Sequence, residues 1–390
     1  MSAPVLFIVT LLFWFSLYAY TSYVGPELER MGATASFVGV VGSAYGFTQL
    51  LLRLPVGIMA DKWQKKFFIC CGGFCSGAAA LCMLLFYHPI AFLIGRALAG
   101  VAASSWVTFT ILYSSYFKAA DAAKSITMLS MANATGQLFS FLVAGFFVAR
   151  FGPRAAFAVS VAGGFTAFGL SLLVHEEPSP PGKVPLRLKD LLTVATDRHL
   201  LTCSLLAALV QTIATSTAMI FSGIHAKSIG ATPAQLSYMS VFVVLAALTL
   251  NFTTSRFLLQ RVRTRWLALA GFSCFIIYCF GLPQTTAITQ VYCLQLFAGA
   301  GNALTISLLM GACVRDIPTD RRSAAMGFYQ AVYGLGMTSG PAIMGFLSDL
   351  WGLNTGFAVM GSLALLGTIP CVLFLREKRV EPAHTRNSAR

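Results

Sequence analysis

Long apolar runs separated by short polar turns dominate the chain. Each run has about 20 residues or more, the length that an α-helix needs to cross about 30 Å of hydrocarbon. The longest polar interruption spans 176–198 and separates six runs from six others. The pattern therefore predicts twelve membrane-spanning helices, at about 4–24, 35–60, 67–87, 89–116, 125–149, 154–175, 199–224, 233–257, 265–283, 286–314, 322–348 and 353–375.

The amino-acid composition supports the prediction of a membrane protein. Of the 390 residues, 57% are hydrophobic and 10% are charged, whereas soluble domains carry about 25% charged residues. Backbone polar groups in lipid must find partners within helices or a closed barrel. The runs lack the alternation that is typical of barrel strands, so the sequence predicts an all-α integral membrane protein.

The polar interruption divides the chain into domains. Residues 1–175 are predicted to form an N-terminal six-helix bundle and residues 199–376 a C-terminal one. Between them, 176–198 is proline-rich and then amphipathic over 186–194, which is typical of a linker with a short helix lying on the membrane surface. Residues 377–390 form a polar tail.

Basic residues predict the orientation, because Lys and Arg concentrate in short cytoplasmic loops. With a cytoplasmic N-terminus, almost all of the loop bases lie inside, and only Arg30, Arg150, Arg154 and Lys227 lie outside. We therefore expect a multi-pass protein of the cell membrane, inner or plasma, with both termini in the cytoplasm. The net charge of +14 is a topology signal, and no nucleic-acid partner is expected.

Cysteine and histidine positions argue against metal, cofactor and enzyme chemistry. The ten cysteines fall inside apolar runs without metal-ligand spacing and are predicted to be free thiols. An embedded enzyme would need a nucleophile and a base at depth. All five histidines lie instead at span ends or in loops: His88, His175, His199, His225 and His384.

The turn between the second and third runs carries the most specific motif. It reads GIMADKWQKK, from Gly57 to Lys66. This pattern resembles the loop signature of the major facilitator superfamily of secondary transporters, which joins the second and third helices. The matching positions are Gly57, Asp61, Lys62, Lys65 and Lys66, and Gln64 stands where the family usually has a second glycine.

An internal repeat supports this resemblance. Gly32 and its two successors recur from Gly230, while Gly136 and Gly152 recur 200 positions later as Gly336 and Gly352. A parallel repeat of two six-helix halves, with the substrate site between them near the midplane, is the architecture of these transporters. The resemblance therefore implies their twelve-helix fold with two pseudo-symmetric halves.

The resemblance also implies a gating role for the loop motif. In the family, the acid at the position of Asp61 resembles a latch that contacts the start of helix eleven, here near Arg322. Such an acid can pair with a helix N-terminus in one state and lose that partner in another. The alternative is a topology loop in which the acid is incidental.

Two arginines lie inside predicted spans. A charge at that depth is costly unless it meets water or a partner, so it marks a functional site. Arg96, followed by Gly100, is similar to the family's fourth-helix motif, which is implicated in coupling or in binding substrate charge; a structural arginine bonded to carbonyls is the alternative. Arg53, two turns before Asp61, is either a gate residue or a cavity charge.

Carboxylates are absent from the middle of every predicted span. Glu27 and Glu29 are expected in an outer loop and Asp349 at the outer end of the eleventh helix. Proton-coupled transporters commonly use a buried carboxylate. A coupling proton would therefore need Asp61, Asp349 or a histidine; otherwise coupling runs through substrate charge, or the protein is a facilitator or an exchanger. The embedded cations favour an anionic substrate.

In the family, helices one, four, seven and ten face the cavity, with parts of five and eleven. Polar amides and aromatic rings on those helices are expected to face substrate, or to bond between helices. The residues predicted in this way are Trp14, Tyr18, Trp106, Asn133, Gln137, Gln211, Gln295, Asn302, Gln330 and Tyr333.

Taken together, the sequence predicts a monomeric secondary transporter that moves a small organic solute by alternating access. Its partners would be that solute, the lipid bilayer and, as coupling ion, a proton. A drug or metabolite exporter, a lipid flippase and a transporter-like sensor use the same scaffold and stay open as alternatives. The proline often found in the fifth helix of drug antiporters is missing around Gly136.

Overall fold

A computed structural model describes residues 2–118, 121–176, 196–258, 261–315, 317 and 321–374. Within these ranges, the side chains at 54, 61, 62, 122, 123, 255, 314, 315, 323 and 374 are outside the description. The predicted surface helix at 186–194 and the tail at 377–390 are outside the described residues as well.

Twelve long helices follow one another along the described chain. Eleven of them are long and apolar enough to cross a membrane. The remaining one, α11, is 30 residues long but more polar. The helices are α1 Ser2–Arg30, α2 Ala35–Lys62, α3 Lys65–Leu85, α4 Pro89–Ser115, α5 Ala122–Phe151, α6 Arg154–Ser171, α7 Arg198–Ser228, α8 Pro233–Leu258, α9 Thr264–Gln284, α10 Ile288–Arg315, α11 Arg322–Trp351 and α12 Leu353–Phe374.

The repeated glycines occupy equivalent turns in the two halves. Gly32 and Gly230 precede α2 and α8 with φ of 80° and 90°, and Gly152 and Gly352 precede α6 and α12 with φ of 81° and 85°. Side chains other than hydrogen are disfavoured at such positive φ. The repeat seen in the sequence therefore records two pairs of tight helix-to-helix turns.

The repeated pair Gly136 and Gly336 allows helices to pack closely. A Cβ on Gly136 of α5 would collide with the carbonyl oxygen of Leu11 in α1, and one on Gly336 of α11 would collide with that of Ala208 in α7. Small residues allow such backbone contact between membrane helices. The helix pairs α1–α5 and α7–α11 are thus packed in the same way.

The first helix is longer than predicted. It bends at Tyr20 and continues to Arg30, so the expectation that Glu27 and Glu29 lie in an outer loop is wrong. Glu27 is only 5% exposed, but its carboxylate accepts hydrogen bonds from Arg30 and from the Tyr87 hydroxyl. These partners allow a charged residue to remain inside the helix end.

Most contacts between helices lie within one half, and two helix pairs form the larger part of the interface between the halves. The helix pairs that join the first six helices to the last six are chiefly α2 with α11 and α5 with α8. We call the side of the molecule with the turn Trp63–Gln64 the motif side, and the side with the turn Met31–Thr34 the far side. The predicted topology would place the motif side in the cytoplasm.

Polar contacts join the halves on the far side. The hydroxyl of Tyr23 in α1 lies 2.7 Å from the hydroxyl of Ser237 in α8. The Nζ of Lys227 in α7 donates to the carbonyl of Pro26. The carboxylate of Asp349 accepts two hydrogen bonds from the start of α2. The far side is therefore closed in this conformation.

Candidate functional site

A cavity of about 360 Å³ lies between the two halves. Eight helices contribute to its walls: α1, α2, α4, α5, α7, α8, α10 and α11. Its volume falls within the range of about 300–1,000 Å³ that is typical of small-molecule sites. Because both halves line it, a molecule bound there would contact both.

Arg96 of α4 lines this cavity although it is only 7% exposed. Its guanidinium carbon lies 4.5 Å from the ring centroid of Tyr45 in α2, a cation–π contact. Among the described residues, no carboxylate forms an ion pair with it. The site thus holds a buried positive charge whose stacking partner is an uncharged ring.

Gly100 explains how this contact is made. A Cβ at Gly100 would collide with the Tyr45 carbonyl and with the hydroxyl of Thr48. Without it, α2 and α4 approach closely enough for Thr48 to donate to the carbonyl of Ala97 at 2.8 Å. The arginine–glycine pattern therefore has a packing reason, because the glycine brings the Tyr45 ring against the arginine.

Four of the predicted amides line the cavity from both halves. On α5, Gln137 donates to the side-chain oxygen of Asn133 at 2.9 Å. On α7 and α10, Gln211 and Asn302 line the opposite wall. Amide groups both donate and accept hydrogen bonds, so each half offers them to uncharged polar groups of a ligand.

Three of the four predicted aromatic residues, Trp14, Tyr18 and Trp106, form one cluster, and of these only Tyr18 lines the cavity. Its ring lies 5.7 Å from that of Trp14, which in turn lies 5.4 Å from Trp106. Trp14 is 5% exposed, and its indole nitrogen has no partner among the described residues. Trp14 and Trp106 therefore support the wall from behind rather than line it.

Arg53, Tyr333, Gln295 and Gln330 also lie away from the cavity lining. Arg53 of α2 donates to the Tyr333 hydroxyl of α11 at 2.8 Å, so this pair joins the two halves. Gln295 is 1% exposed between helices. Gln330 is half-buried on α11. The predicted part of these four residues in binding or coupling stays a prediction.

Some lining residues come from helices that the sequence analysis did not assign to the cavity. Tyr45 lies on α2, and Ser240 and Asn251 on α8. Each is a polar group inside an apolar run, which was the available signal. The family pattern of cavity helices left out α2 and α8, and for that reason these residues were missed.

The loop motif makes its described contacts within the first half. Lys65 is 7% exposed and its Nζ lies 3.3 Å from Glu176, and the same carboxylate accepts the Lys66 backbone amide at 2.8 Å. A Cβ at Gly57 would meet only Val107, at 3.9 Å. The side chains of Asp61 and Lys62 are outside the described residues, so the gating role of the motif stays a prediction.

Comparisons with known proteins agree with this architecture. The chain is similar to an uncharacterized MFS-type transporter of Methanocaldococcus jannaschii, with 24% identity over 343 residues, which cover 83% of this chain and 85% of that protein. Over 154 residues it is 25% identical to a putative multidrug resistance protein of Yersinia pseudotuberculosis, covering 37% of this chain and 32% of that protein.

Solved structures share the fold at low identity. The nucleoside transporter NupG superposes with a TM-score of 0.80 at 13% identity, covering 97% of this chain and all of the other. A bacterial homolog of the human lysosomal transporter Spinster, in an inward-facing and unoccupied conformation, gives a TM-score of 0.79 at 14% identity, covering 95% and 96%.

The family model for the Major Facilitator Superfamily matches residues 6–225 and 200–390. It thus spans nearly the whole sequence and both sets of six helices. The chain is a multi-pass membrane protein that belongs to the Major Facilitator Superfamily.

Proposed function

We propose that this protein is a secondary transporter for a small organic anion, working by alternating access between its two halves. The observation that carries the proposal is Arg96, a buried cation on the wall of the inter-half cavity. A buried charge without an ionic partner is costly. A carboxylate or phosphate group of a ligand would offset that cost through charge-assisted hydrogen bonds.

The rest of the substrate would meet uncharged groups. Gln211 and Asn302 stand on the half opposite Arg96, and their amides can bond to hydroxyl, carbonyl or amide groups of a ligand. We therefore expect a molecule with one anionic end and an uncharged polar body. The cavity volume of about 360 Å³ limits it to metabolite size.

Alternating access has support in the contacts between the halves. The far side is held by hydrogen bonds such as Tyr23 to Ser237, while the cavity lies between the same two halves. Opening toward the far side would have to break these contacts and form others on the motif side. With both termini in the cytoplasm, the conformation seen here would be the one closed to the outside.

The test is a ligand screen of the purified protein by thermal unfolding. The panel holds small carboxylates and organophosphates, neutral nucleosides and organic cations; nucleosides enter because NupG transports them. A ligand at 100 times its Kd stabilises the folded state by about 2.7 kcal/mol, so we expect anions to raise Tm and the neutral and cationic molecules to leave it unchanged. Hits are then tested by counterflow in proteoliposomes.

The matched control is Arg53→Gln, which removes a span arginine that does not line the cavity. It should keep the anion response, whereas Arg96→Gln should lose it. Stabilisation by cations alone, or an anion response that survives in Arg96→Gln, would contradict the proposed substrate class.

A further inference from the structure

Asp349 ends α11 in a contact that crosses between the halves. Its Oδ1 accepts the backbone amide of Ala35 and its Oδ2 that of Ser36, both at 2.8 Å. These are the first two amides of α2, which have no acceptor within their own helix. The third, that of Phe37, donates to the hydroxyl of Thr34 at 3.2 Å. A residue more than 300 positions away therefore completes the N-terminal cap of α2.

The surrounding contact brings the two helix backbones together. A Cβ at Gly345 would collide with the carbonyl of Ala35, and one at Gly39 with that of Pro341. These glycines set the distance between α2 and α11, and at that distance the Asp349 carboxylate reaches the α2 amides. The cap seen here therefore belongs to the conformation in which the far side is closed.

The same two helices carry a second acid at their other end. Asp61 lies in the last turn of α2, and α11 begins at Arg322 on the same motif side. Because α2 and α11 run antiparallel, the C-terminal end of α2 and the N-terminus of α11 lie at the same end of this helix pair. A carboxylate at a helix N-terminus is stabilising, and the interaction fades within the first turn.

We propose that Asp349 is a closure residue of the far side, capping α2 while that side is closed and releasing it when the side opens. The inference rests on the alternating access proposed above and assigns to this residue a part in closing one side. Asp349 is solvent-exposed, so water can replace it at the amides. The contact is therefore weak enough to form and break in every cycle.

The experiment measures access to the cavity from each side without any substrate. A single reporter, Ala218→Cys on the cavity wall, is placed in a chain whose ten native cysteines are replaced. Membrane vesicles of known sidedness are treated with an impermeant maleimide on one side at a time. The variants are Asp349→Asn, Asp61→Asn and both together, with Glu29→Gln as the matched control.

Asp349→Asn keeps one acceptor oxygen but turns an NH2 group toward the second α2 amide. It should therefore raise the labelling rate from the far side about fivefold, the ratio that corresponds to one lost hydrogen bond, and lower the rate from the motif side. Asp61→Asn should act in the opposite direction, and the double variant should return toward the wild-type rates. Glu29→Gln removes a charge from the same side and from an exposed inter-half pair with Lys227 at 3.6 Å. Such pairs contribute little, so the rates should stay within about twofold.

Unchanged rates in Asp349→Asn, or equal increases from both sides, would overturn the proposal, because equal increases indicate general loosening. If Asp61→Asn shifts the balance and Asp349→Asn does not, alternating access survives and the role of Asp349 fails. If neither variant shifts the balance, both alternating access and the role of Asp349 fail. The assay contains no anion, so its outcome does not depend on the result of the ligand screen.

Discussion

Replacing Arg96 by methionine should weaken anion binding strongly without harming the fold. Methionine keeps most of the length of the side chain and can still pack on the Tyr45 ring, but it removes the charge. Arg96 is 7% exposed and, among the described residues, has no ionic partner whose charge would be left behind. The unliganded protein should therefore unfold at the wild-type temperature or slightly above it, because an uncompensated buried charge has been removed.

The expected loss of affinity follows from the contacts that the guanidinium can make. A hydrogen bond to a charged group contributes about 1.5–3 kcal/mol, and a guanidinium offers two parallel ones to a carboxylate. Two such bonds at the lower end of that range contribute about 3 kcal/mol together, which corresponds to a Kd about 150-fold higher. Arg96→Lys keeps the charge but loses the forked geometry and the stacking on Tyr45 at 4.5 Å, so its Kd should rise about tenfold.

The assay is titration calorimetry of the purified variants with the anion that gives the strongest thermal response, followed by counterflow in proteoliposomes. Arg53→Met serves as the matched control and should bind within about threefold of wild type, because Arg53 bonds Tyr333 outside the cavity. An anion Kd in Arg96→Met equal to that of the wild type would refute the assignment of Arg96 to the substrate. Weakened binding of the same size in Arg53→Met would indicate an indirect effect.

Three further predictions concern packing, selectivity and gating. Gly336→Ala should lower Tm by several degrees in thermal unfolding, since a Cβ there strikes the backbone of α7 and overpacking costs about 1–3 kcal/mol; Gly169→Ala, with nothing within 4 Å of the added atom, should not. Gln211→Leu should weaken calorimetric binding of the anion about tenfold by removing an amide from the cavity wall, whereas Gln330→Leu, outside the lining, should leave Kd unchanged. Asp61→Asn should slow counterflow by shifting the conformational balance, and wild-type flux in this variant would count against the motif as a gate.

Much of the fold could be predicted because the bilayer imposes a length on every helix. The apolar runs and the long polar interruption were enough for the helix count and order, and the repeated glycines predicted the relation between the halves. Helix ends were less predictable, as α1 shows. Its last turns contain Glu27, whose burial depends on Arg30 and on Tyr87 from the turn between α3 and α4, partners that no local pattern could supply.

The sequence predicted the charged centre of the candidate site but not all of the residues that line its wall. Arg96 could be singled out because a charge inside an apolar run is rare. Which amides reach the cavity depends on the rotation of each helix about its axis, and packing determines that rotation. Gln211 and Asn302 face inward whereas Gln295 is enclosed between helices, although all three looked equivalent in the sequence.

The proline in α11 helps to make the contact between α2 and α11 one between main chains. Pro341 lies inside α11 and cannot donate a backbone hydrogen bond within it. The next amide, that of Ala342, donates to the hydroxyl of Ser43 on the other half at 3.1 Å. Together with the glycine contacts, it makes this boundary one between main chains, with few large side chains involved. Evolution can then exchange the side chains that select a cargo without redesigning the surfaces on which the two halves move. Relatives with different cargoes should therefore share the spacing of Gly39, Ser43 and Pro341 more faithfully than the identity of their cavity amides.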